Sequence, residues 1–135
     1  MSDTTLDTAI AHDDLVVRIA ERAFDTRIFT VYTNTQRALQ RSVKGQYPHL
    51  VAVGKVDQRV EIVGMVETVE SLQDLDAAAR RWRPLASLQA ATYLYVPRGY
   101  CADARALCLR QCIHLSDFRH YWFEGEALYV ARCFA

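Results

Sequence analysis

Apolar positions along the chain change period several times, and each change predicts an element. Leu15, Val16, Ile19, Ala20 and Ala23 recur at the spacing of one helix face. That predicts a helix from Asp13 or Asp14 to about Phe24, its early acids suited to the N-terminal dipole. The polar residues 1–11 ahead of it are expected to form a flexible tail. Residues 27–33 are rich in β-branched and aromatic side chains and read as a strand. Residues 34–46 hold Gln36, Arg37, Gln40, Arg41, Lys44 and Gly45 with few apolar neighbours, so they read as a connector that carries a local basic cluster.

Two apolar runs then organise the rest. Pro48 opens the first, at a position where a missing N–H is tolerated. Residues 56–59 form a turn, which makes 50–55 and 60–68 antiparallel neighbours. Alternation puts Glu61, Val63, Met65, Glu67 and Val69 on one face of the second run and Val60, Ile62, Gly64, Val66 and Thr68 on the other, so one face carries both acids. Residues 71–74 resemble a capped helix start. Leu72, Leu75, Ala79, Trp82, Leu85 and Ala86 are the expected buried stripe, and Pro84 must kink or end that helix. A strand over 91–96, a helix over 102–111, a short strand over 112–115 and a hairpin of 119–123 with 127–133 complete the chain. Strands alternating with helices between 60 and 115 imply right-handed crossovers and parallel neighbours. The predicted class is α/β, a mixed sheet with helices packed on it, in a single domain over residues 12–135.

Composition narrows the functional classes. With 135 residues, 51% hydrophobic and 24% charged, the chain has the make-up of one soluble globular domain. Sixteen basic and 16 acidic residues cancel, so no global field attracts nucleic acid and any such binding needs a local patch. Residues 1–7 lack the basic and apolar regions of a secretory signal, and no apolar run approaches the ~20 residues of a membrane span. The expectation is a cytoplasmic protein. Its four cysteines, Cys101, Cys108, Cys112 and Cys133, show no CxxC spacing and are expected to be free thiols. Cys108 and Cys112 with His114 and His120 match no familiar zinc finger. No Gly-rich phosphate loop or nucleophile elbow is present.

Helix, strand, strand, strand, helix, strand, with Pro48 opening the second strand and acids near the end of the third, resembles the core of the PD-(D/E)XK nuclease superfamily. The likeness spans residues 13–115. The runs 66–72 and 95–100, with Trp82, also look like a set of small uncharacterised nuclease-like proteins of that superfamily. The resemblance implies a restriction-endonuclease-like αβββαβ core followed by a C-terminal hairpin. It also implies a site in which acids bind magnesium or manganese and a lysine serves the attacking water. Carried over, Pro48 matches the Pro, His49 stands at the Asp, Met65 at the acid and Glu67 at the Lys, while Glu21 lies where some members place an extra acid. A thioether is a poor ligand for a hard cation.

The resemblance therefore implies a nuclease-like protein with a degenerate metal site, a non-catalytic module that associates with nucleic acid or with a protein. Arg80, Arg81 and Arg83, with Arg37, Arg41 and Lys44, are the expected phosphate-binding residues. One alternative is an active divalent-metal-dependent endonuclease that uses Glu67 and His49, with Glu21 as a further ligand. Another is an assembly subunit that forms a homodimer through an exposed strand or the 118–123 region.

Overall fold

A computed structural model describes residues 3–134. Six strands form one sheet in chain order: β1 (Phe29–Thr33), β2 (Leu50–Gly54), β3 (Val60–Val66), β4 (Ala91–Pro97), β5 (Asp117–Glu124) and β6 (Ala127–Arg132). β1–β2–β3 and β5–β6 are antiparallel, while β3–β4–β5 are parallel. The parallel pairs require crossovers, supplied by α2 (Leu75–Trp82) with a 3₁₀ segment (Arg83–Ser87), and by α3 (Cys101–Gln111). The sheet is thus mixed and covered by helices, as the pattern predicts.

Alternation along the strands builds two cores. Leu50, Ala52, Val66, Tyr95, Tyr121 and Leu128 turn toward α1 (Asp3–Ala23), where Leu15, Val16, Ile19 and Phe24 meet them. Val51, Val53, Val63, Met65, Leu94 and Val96 turn the other way, against Ala78, Trp82, Leu85 and Leu107 of the crossovers. Gly64 is the tight point of the first core. A Cβ there would stand 3.2 Å from the Tyr95 ring and 3.3 Å from Leu50.

Four local expectations are corrected. α1 begins at Asp3 rather than Asp13, since no Gly or Pro interrupts residues 3–12; residues 1 and 2 lie outside the described residues. The cap of α2 is Asp74, not Ser71. Its carboxylate accepts from the Ala77 N–H at 3.0 Å, so Leu75 is 39% exposed and Ala86 lies outside the core. Pro84 acts as expected, because α2 stops at Trp82 and the chain tightens into the 3₁₀ segment.

Residues 112–115 are not a strand. Cys112 takes a left-handed φ of 54° as the cap of α3, and the Ile113 N–H also closes on the Cys108 carbonyl at 3.0 Å. Finally, Cys101 and Cys133 form a disulfide with Cα atoms 5.6 Å apart, which leaves Cys108 and Cys112 as free thiols. The partners are 32 residues apart. They meet because the end of β6 docks beside the start of α3, the Cys133 N–H donating to the Phe118 carbonyl at 2.8 Å. Among the described residues, no helix is long and apolar enough to cross a membrane.

Candidate functional site

The end of β3 carries a buried carboxylate, Glu67. Glu67 extends the parallel ladder, donating its N–H to the Tyr95 carbonyl at 2.9 Å, and its own carbonyl accepts from the Tyr121 hydroxyl at 2.7 Å. Those two bonds drive its side chain inward, where only 1% of it is exposed. A carboxylate so placed must be compensated. The guanidinium of Arg81, on α2, pairs with it. The Ser71 hydroxyl donates to it at 2.9 Å. Arg81 donates a further bond to the Ser71 carbonyl at 3.1 Å. Ser71 is held by a reciprocal turn with Thr68, with bonds of 2.8 and 3.1 Å.

One residue earlier, two histidines grip the backbone of Val66. The Val66 N–H donates to His49 Nδ1 at 2.8 Å, which leaves the proton of neutral His49 on Nε2. His12 Nε2, on α1, bonds the Val66 carbonyl at 2.9 Å, and the two rings meet edge to face at 4.6 Å. Burial, then the neighbouring His12, pushes the His49 pKa down to about 3. Asp13, also buried, accepts from the Gln36 and Arg37 N–H groups at 3.1 and 3.3 Å and from Arg37 Nε at 3.2 Å. It thereby ties the connector to α1.

Glu67 and His49 thus both belong to the end of β3, but Glu21 does not join them. It lies exposed farther along α1, lining a surface cavity with Arg18, Arg22, Ala127 and Leu128. No group of three His, Cys, Asp or Glu side chains suited to a metal ion occurs among the described residues. The residues present do not fit magnesium or manganese. The Glu67 carboxylate is already met by a cation, His49 Nδ1 is taken by a backbone N–H, and Met65 offers sulfur.

The basic residues separate into engaged and free. Arg81 serves Glu67 rather than the surface. Arg83 donates to the Gln111 carbonyl and side chain, both at 3.1 Å, and Arg37 pairs with Asp13 and Asp14. Arg41 lies 5.4 Å over the Tyr32 ring, and Lys44 donates to Gln89 at 2.9 Å. Arg80 is exposed and has no hydrogen-bond or ion-pair partner among the described residues. It borders a groove of about 230 Å³ with Tyr47, Pro48 and Met65, and Arg81 closes one wall. Sequence reasoning missed Arg81, Ser71 and Tyr121 as partners of Glu67, and missed His12 altogether. Only the placement of α2 and α1 on opposite faces brings them there, and no local motif signals it. Comparison with protein-family models, curated proteins and solved structures gives no match for this chain.

Proposed function

We propose that this chain is a PD-(D/E)XK nuclease-like module with a restriction-endonuclease-like core, which binds nucleic acid without cutting it. The order α1, β1, β2, β3, α2, β4 supports the likeness. The observation that carries the functional half is the pairing of Glu67 with Arg81. An arginine stands against the one buried acid of the motif, supplying permanently the positive charge that a nuclease takes from a metal. With that pair neutral, the free guanidinium of Arg80 makes the neighbouring groove cationic, and the half-exposed ring of Tyr47 lines it.

The test is fluorescence anisotropy with DNA and RNA oligonucleotides over a salt series, with magnesium and with chelator. Binding should be equal with and without magnesium, with no cleavage. Arg80→Glu should weaken binding to all sequences alike, and Arg80→Ala should lower the salt slope by about 1. Magnesium-dependent cleavage that Glu67→Ala abolishes in a folded protein would overturn the non-catalytic reading. Failure to bind any oligonucleotide at low ionic strength would overturn the binding.

A further inference from the structure

Beyond the N-terminus of α3, one face of the β5–β6 hairpin is left open. His120, Trp122 and Glu124 of β5 alternate onto it, and their cross-strand partners are Ala131, Tyr129 and Ala127. The same face nearer the middle of the sheet is covered, since Phe118 and Cys133 pack into the core beside α3. His120, Trp122 and Tyr129 are all partly exposed.

These side chains form a ladder. Trp122 and Tyr129 are stacked, with centroids 5.6 Å apart and planes 16° from parallel. Arg98 lies 4.8 Å over the Trp122 ring, and Arg22 comes around the edge strand to 6.0 Å over Tyr129. His120 meets Trp122 edge to face at 5.3 Å. The charged groups at the ladder are the two arginines and Glu124, whose carboxylate accepts from the Trp122 indole N–H at 3.4 Å.

We infer that this ladder is a stacking platform for a single-stranded nucleic acid. The inference rests on the reading of the chain as a nucleic-acid-binding module and names the form of nucleic acid it takes. Aromatic faces beside arginines suit a polymer that alternates flat bases with phosphates. A duplex keeps its bases stacked inside and cannot offer them. An exposed cation–π contact is weaker than base–aromatic stacking. A base therefore displaces Arg98 from Trp122 and leaves the guanidinium to meet the adjoining phosphate. Cross-strand aromatic pairs also stabilise hairpins, so the test must read stacking itself.

Trp122 reports on its own platform, because the only other tryptophan, Trp82, is fully buried. The experiment titrates the full chain with single-stranded dT and dA oligomers of about 15 nucleotides and with the matching duplex, following anisotropy and tryptophan emission. Single strands should quench the emission that iodide also reaches and should bind more tightly than duplex. Trp122→Leu should weaken single-strand binding roughly 10- to 100-fold, whereas Trp122→Phe keeps most of it. Arg98→Ala, at an exposed position, should lower the salt slope without changing the melting temperature. Nucleic acid that binds without quenching Trp122, in a protein indifferent to Trp122→Leu and Arg98→Ala, overturns the platform and leaves the groove at Arg80 as the binding surface. Failure of every oligomer to bind at low ionic strength overturns both.

Discussion

Reducing the Cys101–Cys133 bond should cost the fold a substantial part of its stability. The bond closes a loop across a separation of 32 residues, enclosing α3, β5 and β6. Cross-linking such a loop removes about 12 cal/mol/K of entropy from the unfolded chain, or about 3.5–4 kcal/mol at 25 °C. A domain of this length has a total stability of about 7–20 kcal/mol, so the bond supplies roughly a fifth or more of it. The assay is urea denaturation followed by far-UV circular dichroism, with and without a thiol-free reductant. With a denaturant slope of about 2 kcal/mol/M, the midpoint should fall by about 2 M on reduction. Cys101→Ser and Cys133→Ser should each reproduce that loss, and reductant should then add nothing. Oxidised and reduced curves agreeing within about 0.5 kcal/mol would refute the reasoning, because the loop-entropy effect acts on the oxidised protein alone.

Three other outcomes follow from groups buried at β3 and α3. Arg81→Ala should cost about 3–5 kcal/mol in chemical denaturation, because it strands a buried carboxylate, whereas Glu67→Gln frees an arginine that can turn to water and should cost markedly less; equal costs would count against this asymmetry. His49, held down to about 3 by burial and by His12, remains neutral in the folded chain while the unfolded chain takes up a proton below about pH 6.5. Its contribution is therefore complete above pH 6.5 and lost as pH falls toward 3, up to on the order of 5 kcal/mol, and His49→Asn should flatten denaturation midpoints measured across that window. Oxidised protein should react quickly with a maleimide at one thiol, the exposed Cys112, while Cys108, buried and pushed up to about 11, reacts only on unfolding; peptide mapping by mass spectrometry checks this.

What the sequence made legible was whatever a local period encodes. The β2–β3 hairpin, β4, the C-terminal hairpin and the breaking role of Pro84 all follow from spacing within a few residues. The rest depends on partners far away along the chain. Glu67 and Arg81 are 14 residues apart and meet only because α2 folds back over the end of β3. His12 reaches Val66 across 54 positions, and the disulfide joins cysteines whose spacing matches no motif. At 112–115, strand propensity lost to the end of α3, where a left-handed cap and a buried Ile113 used the residues that a strand needs. Arg81 was recognised as part of a cationic surface, yet the buried carboxylate behind it claims the charge.

The order of the sheet has a consequence for how the molecule assembles. Each strand pairs with the one that precedes it and the one that follows it in the chain, so the sheet can grow by adding neighbours, with no strand waiting for a distant one to arrive. The exception is α1. It packs near Leu128 of β6, and Arg18 bonds the Glu126 carbonyl across 108 positions at 2.6 Å. Closing so long a loop is entropically the most expensive contact in the fold. Folding rates fall as such non-local contacts enter the transition state. Helix α1 is accordingly placed to dock last, once the β5–β6 hairpin has formed beneath it.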